Sequence, residues 1–266
     1  MINNMFFHWN IDPVLASAGP LAIRWYGIFF AAAFVSGVII MQWIYRKEKL
    51  PSTALDNLFW YIIVGTVVGA RLGHCLLYDP AYYLSSPFEI FKIWEGGLAS
   101  HGGALGILLA LYLYTRRLGS PSYLWLLDRV AIPAALGGFF IRIGNFFNSE
   151  IVGTPTSGWW AVVFERVDQI PRHAVQMYEA LAYGIIFCFL LFLYRRYWDI
   201  LRGGLLLGTF FVAVFTIRLI LEFVKTPQAA YETHWIFSVG QWLSIPFIVL
   251  GLALLLQSMK RAKKNV

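Results

Sequence analysis

Seven blocks of almost unbroken apolar residues run the length of the chain, at 22–44, 57–78, 97–115, 122–147, 174–194, 203–224 and 237–258. Each is near the ~20 residues a helix needs to cross the hydrocarbon of a bilayer. Solid blocks, rather than the alternation of apolar and polar residues in a barrel strand, predict helices and leave little room for strands. The pattern therefore predicts an all-α integral membrane protein of about seven transmembrane helices, folded as one polytopic domain over 1–266. No linker, low-complexity stretch or internal repeat interrupts it, which counts against transporter folds built from duplicated halves. Two of the breaks are longer. Residues 79–96, DPAYYLSSPFEIFKIWEG, are rich in Tyr, Phe and Trp and predict an arm lying at the membrane interface. Residues 148–173, with Gly153, Pro155, Gly158, two tryptophans and several charges, predict a small cap.

Composition agrees: 59% of residues are hydrophobic and 13% charged, against about 25% charged in an ordinary soluble domain. The net charge of +7 could suggest nucleic acid, but its distribution along the chain excludes that reading. Arg46, Lys47, Lys49, Arg116, Arg117, Arg195, Arg196, Arg202, Lys260, Arg261, Lys263 and Lys264 all follow odd-numbered spans. The opposite ends carry only Lys92, Arg166, Arg172 and Lys225. By the positive-inside rule the amino terminus lies outside and the basic carboxyl terminus in the cytoplasm, which places the arm and the cap outside. Residues 1–21 lack a basic n-region and contain Asp12, Pro13 and Pro20, so no cleavable signal peptide is expected. Cys75 and Cys188 fall within spans without metal-ligand spacing; they read as buried apolar residues, with a disulfide left open.

Against this background the polar residues inside spans stand out. GGFFIRIGNFFNSE (137–150) places Arg142, Asn145, Asn148 and Glu150 at the end of a lipid-like run. A guanidinium there costs about 2.5–3.5 kcal/mol on insertion scales, so it must face the interior, a watery cavity or an anionic headgroup. Arg142, Asn145 and Ser149 share one helical face. An arginine fork beside orienting amides suits a phosphate; the plain alternative is an Arg–Glu pair that fixes helix packing. Arg218 and Glu222, four apart in TIRLILEF, share a face and can pair, or Arg218 can join Arg142 over one phosphodiester. His101, in LASHGGALG, is a candidate proton acceptor near neutral pH or a structural histidine at a close helix contact. Gly65, Gly69 and Gly73 form a small-xxx-small ridge with Arg71 inside it, a signature of helix packing. PRHAVQMYE (171–179) carries Arg172, His173, Gln176 and Glu179, either lining the cap or anchoring at the interface. Tyr26 reads from pattern alone as an interfacial aromatic. No Walker loop, HExxH or nucleophile elbow is present, so any reaction relies on electrostatics, proton transfer and positioning.

These residues carry a family resemblance. IRWYG (23–27), ARLGH (70–74), WEGGLASHGG (94–103), RIGNFFNSEIVG (142–153), PRHAVQMYE (171–179), RLILEF (218–223) and GQWLSIP (240–246) resemble the prolipoprotein diacylglyceryl transferases over nearly the whole chain. The resemblance implies a bacterial inner-membrane enzyme that moves the diacylglyceryl group of phosphatidylglycerol onto the lipobox cysteine of a preprolipoprotein. A thioether forms and glycerol phosphate leaves, with no cofactor or metal. It implies that Arg142 contacts the lipid phosphate, and that Asn145, Asn148, Glu150 and Gly153 belong to the same essential stretch. It implies His101 as the base for the thiol, Tyr26 as an essential tyrosine, and Arg218 with Glu222 as a second charged pair. Arg71 is carried as a further substrate-binding residue. Val214 stands where the family pattern has tyrosine, and Ala70, Phe140, Ile141, Ala174 and Val175 also depart from it.

The competing class is a transporter or flippase whose arginines hold an anionic solute or lipid in transit. It needs access from both faces, whereas the polar residues cluster on one. A headgroup phosphotransferase would want an acidic metal-binding cluster, and none is visible.

Overall fold

The computed structural model describes residues 6–19, 21–119, 121–201, 203–226 and 238–263. Arg202 and Lys264 of the basic flanks, Pro20, and Phe237 at the expected start of the last span lie outside these. In hydrocarbon a chain segment must satisfy its own backbone N–H and C=O groups, so the apolar blocks become helices. They are α1 (Trp25–Lys47), α2 (Ser52–Leu77), the short α3 (Pro80–Ser85), α4 (Ser100–Leu118), α5 (Tyr123–Phe147), α6 (Val175–Tyr197), α7 (Leu205–Leu221) and α8 (Val239–Lys263). Six of these are long and apolar enough to cross a membrane, which makes the chain a mostly helical, multi-pass membrane protein. The expected count was seven. The block at 97–115 became α4, whose start is weighted by Ser100, His101 and two glycines and whose end carries Arg116 and Arg117, so it is less apolar than the rest. Only 11–33% of the most apolar stretch of each span is buried inside the protein, leaving most of its apolar surface for lipid.

The mostly helical architecture also carries short strands that the sequence did not lead us to expect. Five short strands lie outside the spans: β1 (Phe7–Trp9), β2 (Val14–Ala18), β3 (Leu21–Arg24), β4 (Val162–Phe164) and β5 (Pro171–Arg172). β2 and β3 form an antiparallel hairpin with Val14 opposite Arg24. β1 runs parallel to β4, and β4 antiparallel to β5. At two to five residues these strands are too short to show alternation in sequence.

The chain packs as two compact units, Met1–Ile40 with Asp128–Val266, and Met41–Leu127. In the first, α6 and α8 both pack on α7. Gly208 and Gly251 let α7 and α8 approach so closely that a Cβ on either would stand 2.9 Å from the other's carbonyl oxygen. Buried Asp128 on α5 holds the start of α7, accepting from the backbone N–H of Gly204 (2.6 Å) and Leu207 (2.8 Å). Ser238 and Gln241 cap α8 reciprocally, the Ser-x-x-Gln form of a capping box. Phe146, Val162, Phe164 and Ala174 make a small core beneath the β1–β4–β5 sheet, with Trp9 donating to the Phe146 carbonyl.

In the second unit the glycine ridge of α2 meets a matching one on α4. A Cβ on Gly65 would stand 2.6 Å from that of Ala110, and one on Gly73 2.7 Å from the Cα of Gly102, so the two backbones touch directly. Cys75 is buried as expected, but Cys188 is exposed on α6, and both are free thiols. An apolar side chain in a span can face lipid as readily as protein, which the span pattern does not distinguish.

Candidate active site at the end of helix α5

α5 ends where its polar residues begin. Ser149 N–H bonds the Phe146 carbonyl and Glu150 N–H the Asn145 carbonyl, closing the helix in a Schellman turn. The position that such a turn usually gives to glycine is Ser149, at φ 54°, and Ile151 follows at φ 58°. A β-branched residue in the left-handed region is a genuine outlier, and such outliers gather at functional sites. The turn folds Glu150 back over the helix end. Its carboxylate accepts from the side-chain amides of Asn145 and Asn148, each at 3.0 Å, and its backbone carbonyl accepts from Gln176 at 2.6 Å.

One turn earlier, Arg142 donates through Nη1 to Asn145 Oδ1 (3.1 Å), while Nε lies 2.8 Å from Oε2 of Glu179 on α6. Glu179 is fully buried, whereas the Arg142 side chain keeps 11% of its surface open. The other oxygen of Glu179 accepts from Lys225 Nζ at 2.9 Å, and Lys225 also reaches Glu222 Oε2 at 3.1 Å. Four charged side chains thus form one chain: Arg142, Glu179, Lys225, Glu222. The Arg–Glu pair foreseen as the plain alternative exists, but its carboxylate is shared and its arginine is not sealed.

The expected Arg218–Glu222 pair does not form. Glu222 still closes the α-helical turn, its N–H bonding the Arg218 carbonyl, but its carboxylate goes to Lys225 across the 3-10 turn Glu222–Val224 instead. Arg218 is left with a buried Nε that has no hydrogen-bond partner. It still belongs to the same place, because the hydroxyl of Tyr183 on α6 lies near enough to Glu179, Arg142 and Arg218 for all three charges to act on it. Gly138 on α5 leaves room for the Tyr183 ring, and Gly144 does the same for Tyr26 at the start of α1; a Cβ on either glycine would sit 2.9 Å from the ring. Tyr26 is in turn within range of the charges of Glu150 and Arg142. Gly153 is buried where three strands of chain cross. It bonds the His173 carbonyl through its N–H and bridges to Lys225, and its own carbonyl accepts from Thr226 and Arg172. Arg172 also grips Asp168 through two nitrogens, with Nη2 at 2.6 Å from Oδ2, and this fork holds the Asp168 carboxyl below its usual range.

All five buried side-chain atoms without a hydrogen-bond partner among the described residues lie in this unit, on Asn148, Ser149, Gln176, Glu179 and Arg218. Unpaired buried polar atoms are rare in native proteins and each calls for an explanation. Here Glu179 belongs to the charge chain, Ser149 to the strained turn, and Asn148 and Gln176 both bond Glu150.

The remaining two sequence candidates lie in the other unit. Arg71 is buried on α2 and committed to backbone: Nε to the Ile90 carbonyl (2.8 Å), Nη1 to Gly96 (2.6 Å) and Nη2 to Glu89 (2.6 Å), with Tyr83 against its face. It organises the aromatic segment 79–96, whose Phe88, Phe91 and Trp94 are 72–84% exposed. His101, in the first turn of α4, is exposed and has no hydrogen-bond partner among the described residues. Among the described residues no cluster of three or more His, Cys, Asp or Glu side chains could hold a metal ion. Sequence reasoning underrated Glu179 and Lys225 and passed over Tyr183 and Ile151. The signal available for the first two was charge within or beside an apolar block.

The fold and site define a multi-pass membrane protein in which cations, unpaired polar atoms and a strained turn gather around the end of one helix. The family profile described as prolipoprotein diacylglyceryl transferase matches residues 13–257. A phosphatidylglycerol–prolipoprotein diacylglyceryl transferase of Tolumonas auensis is 55% identical over 252 residues, covering 95% of this chain and 97% of its own. One of Chloroherpeton thalassium is 51% identical over 264 residues, covering 99% and 98%, and one of Bacteroides fragilis 40% over 265, covering 94% and 95%. The chain belongs to the prolipoprotein diacylglyceryl transferase family, and is a transferase of lipoprotein biosynthesis.

Proposed function

We propose that the chain transfers the diacylglyceryl group of phosphatidylglycerol to the lipobox cysteine of a preprolipoprotein. The new carbon–sulfur bond forms as the carbon–oxygen bond to phosphate breaks; glycerol phosphate leaves with the electron pair, and the thiol proton goes to a base. The observation that carries this reading is Arg142, kept partly open at the end of an apolar helix, with Arg218 acting on the same Tyr183 hydroxyl and its Nε without a hydrogen-bond partner among the described residues. Two guanidinium groups in a water-poor site stabilise the charge that develops on a departing phosphate monoester. Tyr26, Asn145, Asn148, Glu150 and Gly153 shape the pocket around that headgroup, and Glu222 steadies Lys225. Arg71 serves by fixing the aromatic segment. His101 takes the thiol proton; its assignment rests on its family motif and on the capacity of an exposed imidazole to serve as a general base. A cysteine of ordinary pKa, about 8.5, is mostly protonated near neutral pH and gains from such a base.

In this reading the protein sits in the bacterial inner membrane, with the less apolar α4 as a seventh crossing beside the six apolar spans, its amino terminus periplasmic and its carboxyl terminus cytoplasmic, so that lipid reaches the site sideways from the outer leaflet. The test is direct. Purified protein given phosphatidylglycerol and a lipobox peptide, without added metal or nucleotide, should form the thioether. Arg142→Ala should lower the rate by about 100–1,000-fold or more, and Arg142→Lys should rescue it poorly, because a point charge lacks the planar fork. Normal turnover by the alanine variant removes Arg142 from the site; solute uptake into vesicles without transfer would favour the transporter reading.

A further inference from the structure

Resting on the phosphate-binding reading of Arg142, we propose that Glu179 is a positioning residue, a buried carboxylate shared by Arg142 and Lys225 that sets the direction of the Arg142 guanidinium. Three observations converge. Glu179 is fully buried on α6 and sits between two cations, 2.8 Å from Arg142 Nε and 2.9 Å from Lys225 Nζ. Arg142 therefore has Nε in ion-pair contact with Glu179 Oε2, without hydrogen-bond alignment, and Nη1 bonded to Asn145; its guanidinium also bonds the Tyr183 hydroxyl, a neutral partner that leaves its charge for a ligand. Finally, the carboxylate does not cancel the arginine it orients. Glu179 divides its single negative charge between Arg142 and Lys225, so that trio carries a net positive charge before Glu222 is reached.

The arrangement resolves a conflict built into any buried anion site. A guanidinium on a flexible stem needs a fixed partner to hold its plane, yet a dedicated carboxylate would neutralise it before the substrate arrives. Sharing the carboxylate with Lys225 keeps the orientation and returns part of the charge. Lys225, at the far side of the 3-10 turn that ends α7, is in turn held by Glu222. The shared carboxylate thus also ties the close of α7 to the face of α6 that carries Tyr183.

Glu179→Gln removes the charge but keeps an acceptor of nearly the same shape, and Glu179→Asp keeps the charge on a shorter stem. A misplacement of the reacting groups by about 1 Å costs on the order of 100-fold. The expected result is a fall of about 10–100-fold in kcat/KM for phosphatidylglycerol in Glu179→Gln, with KM for the lipobox peptide unchanged and Glu179→Asp partly restored. Glu179→Gln leaves Arg142 without its carboxylate and Lys225 with Glu222 alone and can unfold the site, so the double variant Glu179→Gln/Lys225→Met is measured beside it. The double variant restores charge balance and should recover thermal stability in detergent without recovering turnover of phosphatidylglycerol. Recovery of both would make Glu179 a packing residue and overturn the proposal, as would wild-type kinetics in Glu179→Gln. Arg142→Ala separates the two levels: if it is inactive while Glu179→Gln is normal, only the positioning role falls, whereas if Arg142→Ala is fully active the phosphate-binding reading falls with it.

Discussion

Replacing Gly153 with alanine tests the geometry of the site without touching a charge. An added Cβ would stand 2.6 Å from both the Cβ and the carbonyl oxygen of His173, and 2.7 Å from Cγ2 of Val175. Carbon atoms in ordinary contact lie about 3.5–4.0 Å apart, so the crossing must open by about 1 Å. The nearest obstacles are a carbonyl and a Cβ, which cannot swing aside as the tip of a long side chain would. Retreat stretches the Gly153 N–H bond to His173 (3.0 Å) and the bond its carbonyl accepts from Thr226 (2.9 Å). Overpacking costs about 1–3 kcal/mol and each of the two weakened hydrogen bonds about 1 kcal/mol, which together give roughly 3–5 kcal/mol. The displacement lies three residues from Glu150, so activity should fall further than stability does. Transfer from phosphatidylglycerol to a lipobox peptide and thermal unfolding in detergent are followed in parallel. Gly27→Ala serves as the control, because nothing lies within 4 Å of its added Cβ, and it should leave both readings unchanged. A Gly153→Ala protein with wild-type activity and unfolding temperature would refute the crossing as drawn.

Asp168 gives a pH signature. Its carboxyl is held below its usual range by Arg172, so the stability it contributes is present above the unfolded value near ~3.9 and is lost as pH falls through the lower folded value. Acidification from about pH 6 to about pH 3 should therefore cost the wild type more than Asp168→Asn; parallel unfolding profiles would contradict this. Asp128→Ala should destabilise the protein by about 1–3 kcal/mol, since it strips two backbone N–H groups of a buried acceptor, while Asp128→Asn, still able to accept one bond, should lose less. Equal unfolding temperatures for all three proteins would show that α7 is capped some other way.

How much was legible in sequence follows from the range of each interaction. The spans were read to within a few residues because hydrophobic burial in a bilayer is written into long runs; α2 begins five residues before the block that predicted it, at Ser52 rather than 57. The glycine ridge on α2 was legible too, but its partner, Gly102 and Gly106 on α4, was visible only once the helices met. Arg142 announced itself through the energetic penalty of its position. Its carboxylate, 37 positions away at Glu179, could not be found from spacing, because ion pairs across helices leave no periodic trace. Local spacing misled at Glu222: the α-helical step to Arg218 is kept, but a shared face permits a pair without choosing it, and Lys225, three residues on, takes the carboxylate. Arg71 misled in another way, since a buried arginine satisfied by backbone carbonyls looks the same in sequence as one waiting for a ligand.

The left-handed residues on either side of Glu150 have an evolutionary edge. Holding L-residues in that conformation costs roughly 1–2 kcal/mol apiece, and Ser149 and Ile151 both do so. Glycine at either position would remove the penalty at once, so a lineage adapting to heat finds its easiest gain within a residue of the acidic group that crowns α5. Thermal robustness and the placing of the Glu150 carboxylate are set against each other at a single address.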